Sequence, residues 1–82
     1  MAVDDREIVA RITRLVEEEH QLEQAHVGES LEPGEMERLR AIEVQLDQCW
    51  DLLRQRRARR DAGQDPDQAR PRDPEVVERY QQ

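Results

Sequence analysis

Apolar residues recur through the middle of the chain with the spacing of a coiled-coil helix. They step alternately by three and four residues, at Leu39, Ile42, Leu46, Cys49 and Leu53. This a/d spacing turns one narrow face of a helix toward a partner helix. Because neither Pro nor Gly occurs between residues 35 and 62, the pattern predicts one long helix over about residues 33–62.

A second stripe with the same period lies nearer the N-terminus and predicts a helix over about residues 5–26. Its apolar positions are Ile8, Ile12, Leu15 and Leu22, with Val16 widening the stripe. Glu19 stands where a further apolar residue would be expected. Asp4 suits the N-cap position with Glu7 three residues later, and Val3 could pack on Ile8 as a hydrophobic staple.

The second helix is bracketed by its own boundary signals. Pro33 fits the first helical position, with Glu32 in the cap position, and Gly63 is a natural stop. The connection between residues 26 and 33 is short and polar, which favours antiparallel neighbours.

The two stripes complement each other when the helices run antiparallel. If the numbers of paired positions add to 61, the facing pairs are Leu22 with Leu39, Leu15 with Leu46, Ile12 with Cys49 and Ile8 with Leu53, and Glu19 falls opposite Ile42. We therefore predict an all-α, coiled-coil-like, antiparallel two-helix hairpin over residues 1–62. The same register brings the acids Asp4, Asp5 and Glu7 beside Arg54, Arg56 and Arg57.

Residues 63–82 form a different kind of segment, a tail that holds three of the four prolines. Asp65-Pro66 and Asp73-Pro74 each have the pattern of a cap followed by a first turn. Residues 74–80 could form a short helix that is too short to persist alone in water, and that either docks on the flank of the hairpin that holds Trp50 or remains loose.

The composition leaves little material for a core. The chain has 82 residues, of which 40% are charged and 35% are apolar. Val16, Trp50 and Leu52 lie beside the stripe, so a lone hairpin would leave them exposed. Small chains of this kind usually need idealised helix packing or oligomerisation, and we expect two hairpins to pair as a four-helix bundle.

Charge and cysteine content narrow the class of protein further. The net charge is −7, which argues against broad, non-specific binding to nucleic acid. The single Cys49 excludes a disulfide framework within one chain and is interpreted as a buried structural thiol. The chain has no apolar run near the 20 residues of a membrane span and no signal-peptide pattern, so we expect a cytoplasmic protein.

The segment LDQCWDLLRQRRARRDAGQDPD carries a resemblance to a known family. Further matching elements are Glu18-Glu19-His20, Glu37-Arg38-Leu39-Arg40, Ala62-Gly63, Asp65-Pro66-Asp67 and a closing Val77-Glu78-x-Tyr80. With these elements the chain resembles the domain of unknown function 2630 family of small actinobacterial proteins over nearly its whole length. It departs at Glu32-Pro33-Gly34-Glu35, where a Ser/Thr-Pro-Glu-Glu start is expected. The resemblance implies a fold and a host group and no activity.

We expect a small non-enzymatic interaction module that forms a homodimer or docks on a larger protein. The candidate interaction residues are Trp50, Leu52, Arg54, Arg56, Arg57, Arg59, Arg60 and Tyr80. The alternative is a nucleic-acid-associated accessory factor that grips phosphates with the cluster from Arg54 to Arg60. No Gly-rich phosphate loop or nucleophile–base pair is visible, and we expect no enzyme activity, small-molecule substrate or cofactor.

A second alternative is a metal-binding bundle. Glu17-x-x-His20 has the spacing of a di-iron helix, and Glu43 and Asp47 are conceivable partners across a bundle. The motif occurs on the outer face of the predicted first helix, however, where a solvated, salt-bridged surface is the simpler interpretation.

Overall fold

The computed structural model describes residues 4–25 and 30–73. Helix α1 spans Asp5–Ala25, helix α2 spans Pro33–Asp61, and a single turn of 3-10 helix follows at Pro66–Gln68. The two long helices pack against each other, and the 3-10 turn packs on α2. The predicted all-α hairpin is thus confirmed, and the helix bounds agree closely with those predicted from the sequence.

Helix α1 begins with the predicted cap. The Asp4 carboxylate accepts a hydrogen bond of 2.8 Å from the backbone N–H of Glu7, and the Asp4 carbonyl accepts one from the N–H of Ile8. These contacts satisfy donors that the first turn of a helix would otherwise leave unpaired. The proposed staple through Val3 lies outside the described residues.

Helix α2 has well-defined ends. Pro33 is its first residue, and the Glu35 carboxylate reaches back to accept a hydrogen bond of 3.2 Å from the N–H of Glu32. At the other end Gly63 has a φ of 73°, and the N–H of Gln64 donates to the Arg59 carbonyl over 2.7 Å. This closing motif needs a left-handed residue, so glycine is the natural occupant of position 63.

The core lies along the predicted stripe. Its buried side chains are Ile8, Ile12, Leu15, Ile42, Leu46 and Cys49. Ile42 is fully buried even though Glu19, its partner in the register, is half-buried. Leu52 was expected to remain exposed, but it packs partly against the core. Val16 and Trp50, in contrast, are 45% and 48% exposed.

Residues 63–73, called here the return segment, run back along α2. The amide of Gln55 donates to the carbonyl of Arg70 over 2.7 Å, and the amide of Gln48 donates to the carbonyl of Arg72 over 3.2 Å. The Asp65 carboxylate caps the 3-10 turn through the N–H of Asp67, which confirms the predicted Asp65-Pro66 cap. Pro74 and the possible helix at 74–80 lie outside the described residues.

Candidate functional site

The arginines at the end of α2 differ in burial, since Arg56 is buried and Arg54 and Arg57 are exposed. The side chain of Arg56 is only 7% exposed, which leaves little of this candidate interaction residue open to a partner. Its guanidinium donates to the Asp5 carboxylate, to Asp67 Oδ1 over 3.0 Å and to the Pro66 carbonyl over 3.2 Å. Arg56 therefore joins α1, α2 and the return segment at one point.

Asp5 is the acidic centre of this junction. Besides the contact with Arg56, its Oδ2 lies 2.8 Å from the guanidinium of Arg60. The hydrogen bonds from Arg56 and then Arg60 lower the pKa of the Asp5 carboxyl, and the bond to Asp5 raises the pKa of Arg56. The numbers of Asp5 and Arg56 add to 61, as the predicted register requires. The prediction that arginines of α2 neutralise the acidic start of α1 is thus confirmed for Asp5 with Arg56. The second cation that binds Asp5 is Arg60, which the prediction did not include.

A sequence signal for this burial exists. Arg56 and Arg60 continue the three–four spacing of the apolar stripe beyond Leu53, so a helical projection places both on the buried side of α2. Arg54 and Arg57 fall off that stripe and are exposed. Arg57 has no ion pair with any other residue in the described parts of the chain.

Asp51 is a site residue that sequence reasoning missed. Its side chain is 2% exposed, and its carboxylate accepts hydrogen bonds of 2.9 Å from Gln55 and from Nε of Arg72. A second guanidinium nitrogen of Arg72 lies 2.9 Å from Oδ1. A buried carboxylate is costly unless it is paired and hydrogen-bonded, so Asp51 and Arg72 hold the return segment on α2. The two residues stand 21 positions apart, and no local pattern links them.

An open cleft of about 770 Å³ adjoins this ion pair, between the last turns of α2 and the return segment. Its lining residues are Asp51, Arg54, Gln55, Ala58, Arg59, Ala62, Gln64 and Arg72. The cleft is thus lined by two alanines and by the guanidinium groups of Arg54, Arg59 and Arg72. Of these, Arg72 is already paired with Asp51. The accessible part of the predicted arginine cluster lies here and on the neighbouring exposed turn that carries Arg57.

Trp50 lies on the flank of α2 that the return segment does not cover. The return segment lies over the flank of Leu52 and Gln48, where Pro71 and Arg11 of α1 line the same small cavity. Each residue advances about 100° around a helix. Trp50 therefore projects from the opposite flank, on the far side of the buried stripe from Leu52. The side chain is 48% exposed, which leaves a large aromatic surface in contact with solvent.

Two valines of α1 lie on the same side of the hairpin as Trp50. Val9 and Val16 are 50% and 45% exposed, and their spacing of one heptad puts them on one stripe. That stripe flanks the buried face of α1 on the side away from Arg11, and hence away from the return segment. Val9, Val16 and Trp50 are called here the Trp50 face.

The metal-site candidates are divided between the two helices. Glu17 and His20 are exposed and line a shallow groove beside Val16 on α1, whereas Glu43 and Asp47 belong to α2. Among the described residues no group of three or more His, Cys, Asp or Glu side chains is placed to hold a metal ion. Cys49 is buried, as predicted, and burial raises the pKa of its thiol. Tyr80 lies outside the described residues.

The fold and these contacts define a class of small α-helical hairpin proteins in which a return segment is held on the second helix by buried ion pairs. The chain belongs to the family described as Protein of unknown function (DUF2630), whose model matches residues 4–82. The resemblance found from the sequence is confirmed.

Relatives include uncharacterized proteins of Mycobacterium bovis and Mycobacterium tuberculosis. Each is 51% identical over 77 residues, a match that covers 93% of this chain and 88% of the relative. No solved structure matches the chain. No helix in the described ranges is long and apolar enough to cross a membrane.

Proposed function

We propose that this protein is a small non-enzymatic protein–protein interaction module whose binding surface is the Trp50 face. The observation that carries the proposal is the 48% exposure of Trp50. Only 2% of the residues are aromatic, and the single Trp is turned away from a core that has few large side chains. Tryptophan is one of the residue types enriched among binding hot spots, which lie in well-packed, desolvated pockets.

The surroundings of Trp50 support this proposal. Val9 and Val16 extend the apolar surface onto α1, and charged residues of both helices border it. An apolar centre with a polar rim is the common arrangement of protein interfaces. The single buried thiol of Cys49 suits a reducing compartment such as the cytoplasm.

A second candidate function is an accessory role at nucleic acids, favoured by the cleft that Arg54, Arg59 and Arg72 line. We place it second because the junction at Asp5 engages Arg56 and Arg60 and Asp51 engages Arg72. The net charge of −7 also repels polyphosphates at long range.

The test of the proposed function compares three forms of the chain as bait in an extract of the native host. These are the wild type, Trp50→Ala and the control Glu37→Gln, at an exposed position on the opposite side of α2, each with a tag, in the presence of untagged wild-type chain. We expect protein partners, the untagged chain included, that the wild type and the control retain and Trp50→Ala loses. Equal recovery by all three forms would contradict the proposal.

Salt separates the two candidate functions. Phosphate contacts weaken steeply as salt rises because binding releases counterions. Apolar docking through Trp50 changes little over the same range. Binding to a mixed-sequence duplex that disappears between low and moderate salt, and that survives Trp50→Ala, would favour the nucleic-acid role.

A further inference from the structure

We propose that the occupant of the Trp50 face is a second copy of this chain, with α2 antiparallel to α2 of the partner and Trp50 beside the twofold axis. This inference rests on the proposed function and names the partner of that surface. It is carried by the order of charges on α2 and by the position of the valines on α1.

The charged residues on the same side of α2 as Trp50 form a self-complementary pattern, in which acids precede Trp50 and arginines follow it. Glu43 stands seven residues before Trp50, and Arg57 stands seven residues after it. Residues at this spacing share one face of a helix. Asp47 and Arg54 lie closer to Trp50 on the same side of the helix, with the acid again before it and the arginine after it.

A twofold axis through Trp50 brings opposite charges together. In the antiparallel arrangement, Glu43 faces the partner's Arg57 and Asp47 faces the partner's Arg54, and symmetry repeats each pair. A parallel arrangement would instead set Glu43 against the partner's Glu43, which like-charge repulsion disfavours. Within one chain Glu43 and Arg57 are separated by about 21 Å along the helix, so they cannot satisfy each other.

The same charges lack strong partners in the hairpin. The side chains of Glu43, Asp47 and Arg57 make no hydrogen bond or ion pair with the residues that the structure describes. Arg54 lies 3.9 Å from Asp51, a carboxylate that Arg72 and Gln55 already engage. All four side chains are therefore available to an approaching surface.

The exposed valines of α1 are centred near the same twofold axis. In the observed register, Trp50 is level with Arg11, and the midpoint between Val9 and Val16 lies within about 3 Å of that level along the hairpin. The twofold axis that pairs the α2 charges therefore also sets Val9 near the partner's Val16. An isologous interface of this kind forms a four-helix bundle and covers the apolar surface that one hairpin leaves exposed.

The experiment measures the dimer dissociation constant by sedimentation equilibrium for four forms of the full chain. The wild type is expected at the dimer mass at micromolar concentration. Glu43→Arg and Arg57→Glu should each raise the dissociation constant by about tenfold or more, since each sets like charges face to face at two symmetric places. The combination of both changes should restore the constant to within about threefold of the wild type, because opposite charges face each other again.

A control and a cross-link fix the geometry. Glu37→Arg makes the same charge change on the opposite side of α2, and its dissociation constant should equal that of the wild type. Trp50→Cys in a Cys49→Ala background should form a disulfide-linked dimer on mild oxidation, because residue 50 lies next to its symmetry mate. Circular dichroism of every variant verifies that the helices are present.

The outcomes separate this inference from the proposed function. A wild-type monomer at micromolar concentration, or a dimer indifferent to both single charge reversals and unable to cross-link at position 50, would overturn the second-copy arrangement. Partners that still depend on Trp50 in the host extract would leave the interaction module standing. Rescue by the double reversal together with the cross-link would establish the arrangement.

Discussion

The guanidinium of Arg56 donates to the carboxylate of Asp5 across 51 positions of sequence, and so joins the last turns of α2 to the first turn of α1. The same guanidinium binds Asp67 and the Pro66 carbonyl of the return segment. One side chain thus connects the three parts of the described fold. An arginine suits this position because its planar fork presents several donors in fixed directions.

Replacing Arg56 with Gln should destabilise the protein by about 2 kcal/mol, because it removes charge-assisted hydrogen bonds and leaves the acids without a cation. The partial exposure of Asp5 and Asp67 keeps the loss below the value for a fully buried pair. Urea unfolding followed by circular dichroism measures the change.

Arg57→Gln is the matched control for Arg56, since it makes the same chemical change one residue away on the exposed side. Its free energy of unfolding should stay within about 0.5 kcal/mol of the wild type at a protein concentration that keeps the association state constant. Equal effects of the two substitutions would contradict the structural role of Arg56.

Stability should fall on acidification through the Asp5 junction. The pKa of Asp5 is lower in the folded state than its ordinary value because of the bonds from Arg56 and Arg60. The folded state therefore binds fewer protons, and the stabilisation is fully present above the unfolded pKa of about 3.9. It is lost as pH falls through the folded pKa.

Thermal unfolding of the wild type and Asp5→Asn from pH 7 to pH 2 tests this coupling. We expect Asp5→Asn to be less stable at pH 7 and to lose less stability below about pH 4. Some acid dependence should remain in the variant, because the pKa of Glu18 is also lowered, by its bond to Arg38. Parallel curves for the two proteins would exclude a role of Asp5 in acid unfolding.

Leu46→Ala should destabilise the hairpin by about 2–5 kcal/mol, since Leu46 is 9% exposed within the core and its truncation leaves a cavity. Met36→Ala is the control, because Met36 is 45% exposed and its loss should cost little. The denaturant midpoint of each variant gives the comparison. A midpoint for Leu46→Ala near that of the control would refute the buried register.

The ion pair between Asp51 and Arg72 should couple the return segment to α2. In a double-mutant cycle with Asp51→Ala and Arg72→Ala, we expect a coupling free energy of about 1–2 kcal/mol. Each single variant should also show faster hydrogen exchange at the backbone N–H groups of Gln68 and Ala69, which are hydrogen-bonded in the 3-10 turn, because the segment opens more often. Asp61→Asn, at an exposed position of the same helix, should exchange at the wild-type rate, and a coupling near zero would show that other contacts hold the segment.

The sequence alone determined both helices, their ends and their antiparallel register. The stripe from Leu39 to Leu53 and the cap at Asp4 are local features, and local spacing is sufficient to decide which face of a helix is buried. The short connection then left few ways for two stripes to meet. For the same reason the spacing by itself assigns Cys49 to the core and Trp50 to its flank.

The tertiary structure alone decided which partners neutralise the buried charges and where the return segment lies. The spacing places Arg56 on the side of α2 that faces α1 but does not name its partners, and Asp51 is an ordinary acid of a polar helix. Each is buried because a partner from a distant part of the chain, Asp5 in one case and Arg72 in the other, supplies the opposite charge. Burial of a charge depends on such a partner in space. Spacing along the chain reports the faces of one helix and cannot report which distant segment packs against them.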